Sequence, residues 1–202
     1  IRTAAPRKEE ALNPEEYGRM ADLEGVQWWY AGMRRIARAL LTPLLQGGPE
    51  GRRILDAGCG GGRNAVWLMR NGFDVCAVDK DERAVAAVSE MAKRSAADLR
   101  SGNFQTASLD AIPFASESFD WVICNAVMHF AEDRAQFDRW LAEMWRVLTP
   151  GGVFFARLAS SIGIEKLLVP TSNGRYMMPD GSERFIVDEQ MLRDSTASIG
   201  GR

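Results

Sequence analysis

The chain has 202 residues, of which 46% are hydrophobic, and its formal net charge at pH 7 is −2. This length and hydrophobic share predict one globular domain, with or without an appendage, and exclude an intrinsically disordered chain. The small net charge argues against binding of nucleic acid through bulk electrostatics. Because the apolar runs are far shorter than a membrane span and no signal-peptide pattern is present, we expect a cytoplasmic protein with no membrane partner.

We expect no metal site. The three cysteines, Cys59, Cys76 and Cys124, form no CxxC pair, and His129 is the single histidine of the sequence. A structural zinc site needs four Cys or His ligands, usually in closely spaced pairs. Each cysteine lies in or beside apolar sequence typical of a strand, which indicates reduced, buried thiols.

The first part of the chain is predicted to be an arm followed by a helical cap. Residues 1–13 are polar and charged, whereas 14–45 show a helical pattern in which Ile36, Leu40 and Leu44 recur. Gly47-Gly48-Pro49 then breaks the helix. We therefore expect an arm and cap over 1–48 and a second domain over 49–202.

Segments typical of strands and helices alternate after residue 49, which predicts βαβ units, a mostly parallel sheet and a doubly wound α/β fold. The predicted strands are 53–57, 74–79, 104–109, 119–125 and 152–158, and the predicted helices are 64–71, 82–95, 135–148 and 187–198. Phe137, Leu141, Met144 and Leu148 form a core-facing stripe in the third of these helices. Pro150-Gly151-Gly152 predicts a turn before the fifth strand, and 159–186 is rich in turn residues, which predicts a loop or lid on the substrate side.

A glycine-rich turn follows the first predicted strand, in the run Asp56-Ala57-Gly58-Cys59-Gly60-Gly61-Gly62. Glycine permits a sharp turn and a close approach of a ligand to the backbone, and the free N–H groups at a helix start attract polar or anionic groups. Two cofactor classes compete for this loop. Gly60, Gly62 and Ala65 satisfy the dinucleotide pattern G-x-G-x-x-A, whereas Asp56, Gly58, Gly60 and Gly62 fill acid-x-G-x-G-x-G. A tight turn without a ligand is a third interpretation.

The second of these patterns resembles the first motif of class I S-adenosylmethionine-dependent methyltransferases, and the resemblance covers roughly residues 50–160. It implies a Rossmann-like methyltransferase sheet with a small-molecule substrate. Gly62-Arg63-Asn64 and Val78-Asp79-Lys80 look like the tellurite-resistance branch of that family. The family sheet ends in antiparallel sixth and seventh strands, so we expect that residues beyond Arg202 are missing.

The resemblance also implies roles for individual residues. Asp56 helps to orient the amino-acid end of the cofactor, and Asp110 meets the adenine amino group. Asp79 ends the second strand, where an acid can accept hydrogen bonds from both ribose hydroxyls of either cofactor class. The residues expected at the cofactor are Asp56, Gly58, Cys59, Gly60, Gly62, Arg63, Asn64, Asp79, Lys80, Asp110, Ala111, Asn125 and Ala126, together with Tyr17 and Trp28 from the cap.

His129 follows the fourth strand, beside the expected position of the transferable methyl group. It is interpreted either as a general base or as a histidine that packs near the cofactor, and the second interpretation is favoured. Arg157 lies near the carboxyl end of the fifth predicted strand and is interpreted as a surface ion pair in preference to a contact with a substrate anion. In-line displacement on a sulfonium depends mainly on holding the two partners in position.

The leading hypothesis is a methyltransferase that transfers a methyl group from S-adenosylmethionine to a small molecule and releases S-adenosylhomocysteine. A nicotinamide-dependent oxidoreductase remains an alternative, although the sequence shows no Tyr-x-x-x-Lys pair. A non-catalytic module that binds S-adenosylmethionine is the third hypothesis. The Asn/Asp-Pro-Pro-Tyr signature of base methylation is absent from Asn125-Ala126-Val127-Met128, so nucleic acid is not the expected substrate.

Overall fold

The computed structural model describes residues 51–95, 103–179 and 181–201, together with Gly32, Arg35, Ile36, Ala39 and Thr42. The chain divides into two compact units, Ile1–Gly48 and Pro49–Arg202. In the first unit the five described residues are helical. The predicted arm and the rest of the predicted cap lie outside the described residues.

The second unit is built on a five-stranded sheet with the strand order β3-β2-β1-β4-β5. Its strands are β1 (Arg53–Ala57), β2 (Asp74–Asp79), β3 (Phe104–Thr106), β4 (Phe119–Asn125) and β5 (Leu148–Arg157). All four pairings are parallel. The strand order reverses between β1 and β4, and the crevice outside the carboxyl ends at such a switch point is where doubly wound folds bind ligands. The predicted fold class is therefore confirmed.

In the described part of this unit four α-helices accompany these strands: α1 (Arg63–Arg70), α2 (Glu82–Ser95), α3 (Arg134–Val147) and α4 (Glu189–Ser198). Side-chain caps start two of them. Asp133 accepts a hydrogen bond from the Gln136 backbone N–H at α3, and Asp188 accepts one from Met191 at α4, both at 2.7 Å. Such caps satisfy backbone donors that would otherwise have no partner at a helix start.

The core lies between the sheet and its helices. β1, β2 and β4 are almost continuously apolar and buried, as expected for parallel strands covered on both faces. The predicted stripe is confirmed, because Phe137, Leu141, Met144 and Leu148 are all buried. Leu148, however, begins β5 instead of ending the helix.

Two predicted strands differ from the observed ones. β3 ends at Thr106 instead of Leu109, because only three of its residues pair with β2 and the chain turns at Leu109 and Asp110. β5 begins at Leu148, before the predicted Pro-Gly-Gly turn. Phe119 pairs with Leu148 and Trp121 pairs with Val153, so the turn is an irregular excursion inside the strand and does not precede it.

Segment 159–186 contains more regular structure than predicted. After a short 3-10 helix at Glu165–Leu167 it forms an antiparallel meander of three short strands, β6 (Val169–Pro170), β7 (Arg175–Met177) and β8 (Glu183–Phe185). The Phe185 ring is buried and stacks on Phe137 of α3 at a centroid distance of 5.3 Å. This contact fixes the meander to the core of the domain.

Within the described ranges no strand pairs with the outer edge of β5, so the expected sixth and seventh strands are not among them. None of the helices in the same residues combines the length and the apolar character that crossing a membrane requires.

Candidate functional site

Polar side chains gather where four of the parallel strands end. Asp56 lies near the end of β1, Asp79 ends β2, Asn125 ends β4 and Arg157 ends β5. Because carboxyl ends of parallel strands share one edge of the sheet, the fold brings together residues that are far apart in sequence. Three of the four were predicted as cofactor residues.

The glycine loop between β1 and α1 is folded back onto β2. The backbone N–H groups of Gly58 and Cys59 both donate to the Val78 carbonyl, at 2.8 and 3.0 Å. Gly58 has φ +77° and Gly60 has φ +47°, values in the left-handed region that favours glycine. A Cβ on Gly58 would lie 2.5 Å from Val127 Cγ2, so the loop after β4 packs directly on the glycine loop.

The carboxylate of Asp56 holds the start of α1. It is fully buried and accepts hydrogen bonds from the Ala65 backbone N–H at 3.1 Å and from Asn64 Nδ2 at 3.4 Å. Burial raises the pKa of Asp56 to about 6, an effect that these two hydrogen bonds partly offset. Because the side chain has no exposed surface, it acts through the loop and the helix that it orients. The direct contact between Asp56 and the cofactor stays a prediction.

Asp79 is bound to the same loop from the neighbouring strand. Its Oδ2 accepts a hydrogen bond from the Gly60 N–H at 2.8 Å, and its Oδ1 accepts one from the Asp81 N–H at 3.0 Å. Each carboxylate oxygen has two acceptor positions, so the half-buried group can also accept from ribose hydroxyls.

The predicted residues around this loop differ in exposure. Cys59 is buried, and burial raises the pKa of its thiol, which therefore stays protonated. Arg63 and Lys80 are exposed, and their predicted contacts with the cofactor stay predictions. Tyr17 and Trp28 lie outside the described residues.

A chain of hydrogen bonds runs across the ends of β1, β4 and β5. Asn64 Oδ1 accepts from Asn125 Nδ2 at 3.3 Å, and Asn125 Oδ1 accepts from Arg157 Nε at 2.5 Å. The next residue, Ala126, has φ +65° and donates its N–H to the Arg157 carbonyl at 2.7 Å. A non-glycine residue in this conformation is uncommon and is often found at functional sites. These hydrogen bonds link Asp56 to Arg157. The side chain of Arg157 is half-buried and is therefore not confined to the surface.

Asp110 contacts a different part of the molecule from the other predicted residues. Its Oδ1 accepts from Arg139 Nε at 3.2 Å, and its Oδ2 accepts from Trp140 Nε1 at 3.0 Å and from Ser108 Oγ at 2.9 Å. The bond from Trp140 is the largest cause of a lowered pKa of Asp110. The carboxylate is thus bound to α3, and an adenine amino group would compete with these donors. The contacts of Asp110 and of the exposed Ala111 with the cofactor stay predictions.

His129 lies in a short 3-10 helix, Met128–Phe130, after β4. Its Nδ1 is buried and has no hydrogen-bond partner among the described residues. Burial, followed by the charges of Arg184 and Arg157, lowers the pKa of His129 to about 4. The ring is therefore neutral at pH 7 and a weak base. Its lowered pKa does not favour the role of general base, which stays a prediction.

Two arginines near this loop were missed by the sequence reasoning. Arg175 Nη1 donates to the Ala131 carbonyl at 2.7 Å, and the Arg184 guanidinium lies 4.6 Å from the Phe130 ring centroid. Both come from the meander, whose strands are too short to give a periodic signal. The sequence signal available was the alternation of Arg184 with the apolar Phe185, which indicates a strand with one polar and one buried face.

Comparison with known proteins decides between the two cofactor classes. The profile of the family described as "Methyltransferase domain" matches residues 55–156. The chain belongs to this family. The resemblance to class I S-adenosylmethionine-dependent methyltransferases is confirmed, and S-adenosylmethionine is the cofactor. The tellurite-resistance branch stays a prediction.

Curated relatives agree with this assignment. The chain is 32% identical to the uncharacterized methyltransferase YodH of Bacillus subtilis over 80% of this chain and 64% of the relative. It is 35% identical to the malonyl-[acyl-carrier protein] O-methyltransferase of Enterobacter lignolyticus over 63% of this chain and 46% of the relative. The chain thus spans about half to two thirds of the length of these relatives.

Solved structures share the fold at lower identity. The PH0226 protein of Pyrococcus horikoshii superposes with a TM-score of 0.65 at 20% identity, covering 82% of this chain and 81% of that one. The Burkholderia thailandensis 1,6-didemethyltoxoflavin-N1-methyltransferase, solved with S-adenosylhomocysteine, gives 0.61 at 21% identity and covers 96% of this chain and 82% of that one.

Gly58→Ala is predicted to destabilise the domain more than Gly60→Ala. Both glycines have positive φ, which costs an alanine about 1–2 kcal/mol. A Cβ at Gly60 meets no atom within 4 Å, whereas at Gly58 it clashes with Val127. Overpacking of this kind adds about 1–3 kcal/mol. Urea unfolding of both variants measures the difference, and Val127→Ala should recover part of the loss in Gly58→Ala. Equal losses in the two variants would contradict the packing argument.

Asp56→Asn is predicted to change how stability depends on pH. Burial raises the pKa of Asp56 in the folded state to about 6, above its ordinary value of 3.8. The native state therefore binds the additional proton, and this carboxyl makes the fold less stable as the pH rises from about 4 to 6. Across that pH window the free energy of unfolding of the variant, relative to wild type, should increase by on the order of 2–3 kcal/mol. Any loss of stability from an altered hydrogen bond is the same at every pH and adds to this difference.

Urea unfolding at several pH values checks this prediction, with Asp81→Asn as the matched control. Hydrogen bonds from Arg83 are the main lowering influence on the pKa of Asp81, so that variant should lose stability relative to wild type as the pH rises. Parallel pH profiles for Asp56→Asn and wild type would show that burial does not raise the pKa of Asp56.

Proposed function

We propose that this chain is the catalytic domain of a methyltransferase that moves the methyl group of S-adenosylmethionine to a small-molecule acceptor by in-line displacement. The observation that carries the proposal is the bond between Asp79 and the glycine loop. The Asp79 carboxylate lies at the switch point of the sheet and accepts the Gly60 N–H at 2.8 Å. The Asp79 carboxylate, which can accept hydrogen bonds from ribose hydroxyls, therefore lies beside the backbone of Gly60, which has no side chain to block a ligand.

The residues present fit this cofactor. Gly60 adopts a left-handed conformation with open space where a Cβ would stand, so a ligand can approach the backbone there. The half-buried Asp79 keeps acceptor capacity beyond its two backbone bonds. When bound, the cofactor supplies a methyl group on a positively charged sulfur that is open to attack by a nucleophile.

The contribution of the chain to the reaction is mainly orientation. Val127 packs on Gly58, and Asn125 is bonded to Asn64, so the loop after β4 is held in register with the cofactor loop. Such positioning of two reactants can account for several kcal/mol of a barrier. Neutral His129 is a poor base at pH 7, which favours an acceptor that is already ionised or loses its proton to solvent.

Two observations support a small-molecule acceptor. Relatives include the malonyl-[acyl-carrier protein] O-methyltransferase and a ubiquinone biosynthesis O-methyltransferase of Methylocella silvestris at 29% identity, although a ribosomal RNA small subunit methyltransferase C also matches. β4 ends at Asn125 and is followed by Ala126-Val127-Met128, without the Pro-Pro-Tyr that base methylation uses.

Calorimetric titration with S-adenosylhomocysteine tests the cofactor site. Wild type should bind in the micromolar range, and Asp79→Ala should bind at least about tenfold more weakly, because each lost charge-assisted hydrogen bond is worth about 1.5–3 kcal/mol. Asp81→Ala is the matched control, since that acid is also near the loop but accepts its bonds from Arg83. Binding of NAD in place of S-adenosylhomocysteine, or equal affinities in both variants, would contradict the proposal.

A further inference from the structure

Three basic side chains from separate segments gather around the loop after β4. Arg157 ends β5 and donates its Nε to Asn125, the last residue of β4. Arg184 of β8 lies over the Phe130 ring at 4.6 Å, and the His129 ring lies 4.6 Å from the same ring. We call Arg157, Arg184 and His129 the basic cluster. It adjoins the loop that packs on Gly58 through Val127.

Both guanidinium groups of the basic cluster are held in place. Arg157 is oriented through Asn125 and Asn64, which continue to the buried Asp56. Arg184 Nη1 donates to the Glu183 carbonyl at 2.8 Å while its plane contacts Phe130. A positioned arginine loses less side-chain freedom when it binds a ligand, so its N–H groups bind more tightly than those of a mobile one.

The segment that carries Arg184 is itself fixed to the loop. Phe185, its neighbour, stacks on Phe137 in the core, and Arg175 of β7 donates to the Ala131 carbonyl. Glu183 lies next to Arg184 in β8, so its side chain points to the opposite face of the strand, where it is paired with Arg175 at 3.8 Å and with Thr171. This neighbouring acid is therefore directed away from the basic cluster.

The environment of His129 has a positive character. After burial, the charges of Arg184 and Arg157 disfavour protonation of its ring, and among the described residues no acid contributes to the lowered pKa of His129. Its Nδ1 is buried without a hydrogen-bond partner among the residues that the structure describes. Unpaired buried polar atoms are uncommon, and one of the accepted explanations is a missing ligand or water.

We propose that the basic cluster binds a carboxylate of the methyl acceptor, with Arg157 and Arg184 as the residues that recognise it. This inference rests on the proposed function, because it places the acceptor beside the cofactor loop. Guanidinium groups match the planar geometry of a carboxylate and form charge-assisted, often bidentate hydrogen bonds with it. A carboxylate is ionised at neutral pH and needs no general base for binding.

Matched pairs of acids and amides test this inference on the protein loaded with S-adenosylhomocysteine. The probes are benzoate with benzamide, 4-hydroxybenzoate with 4-hydroxybenzamide, and octanoate with octanamide, titrated by calorimetry. At least one carboxylate should bind, and its amide should bind at least about tenfold more weakly, because the neutral amide cannot form a charge-assisted hydrogen bond with a guanidinium.

Variants identify the residues responsible. Arg184→Gln should weaken carboxylate binding at least about tenfold, whereas S-adenosylhomocysteine affinity should change less than about twofold. Arg184→Lys should recover part of the affinity, because it keeps the charge but not the planar donors. Arg193→Gln is the matched control, since Arg193 is exposed on α4 and paired with Glu189, and it should change neither affinity. Arg157→Lys tests the second guanidinium.

The inference is overturned if no carboxylate binds, if acids and amides bind equally well, or if Arg193→Gln has the same effect as Arg184→Gln. Failure of the proposed function gives a different result, because wild type would then not bind S-adenosylhomocysteine at all. In that case carboxylate binding to the unloaded protein, lost in Arg184→Gln, would still establish the anion site.

Discussion

The buried carboxylate of Asp56 is the constraint on which the site depends. It connects the end of β1 to the start of α1 through the Ala65 N–H and the Asn64 amide. From Asn64 the hydrogen bonds continue through Asn125 to Arg157, so a single network spans three strand ends. Burial of this acid has an electrostatic cost, seen in its raised pKa, and the hydrogen bonds offset part of it. Burial of Asp56 therefore lowers the stability of the fold, while its hydrogen bonds hold the glycine loop and the loop after β4 in one geometry.

The two proposed binding sites, for the cofactor and for the acceptor, lie on opposite sides of the switch point. On the β2 side, Asp79 and the bare backbone at Gly60 provide the features that a nucleoside needs. On the β5 side, the meander brings Arg184 beside Phe130. The loop after β4 lies between them and contacts both, through Val127 on Gly58 and Arg175 on Ala131. The proposed cofactor site and the proposed acceptor site thus share this segment.

Local patterns predicted the sheet and the glycine turn between β1 and α1 well, because a buried strand, an acid and alternating glycines leave a signal within about ten residues. The residues at the strand ends were found for the same reason. Long-range pairing was not predictable: nothing near Asp110 shows that Trp140 and Arg139 donate to it, and nothing near Arg157 indicates Asn125. The strands of the meander are two or three residues long, too short to show a period of two.

A crystal structure of the protein with S-adenosylhomocysteine would show whether the edge between β1, β2 and β4 is the cofactor site. We expect the ribose hydroxyls within hydrogen-bonding distance of the Asp79 carboxylate. We also expect the amino-acid end of the ligand against the backbone of Gly58 and Gly60, with Asp56 still bonded to Ala65. A ligand bound elsewhere on the domain, or one that reaches this edge without contacting Asp79, would contradict this placement of the cofactor.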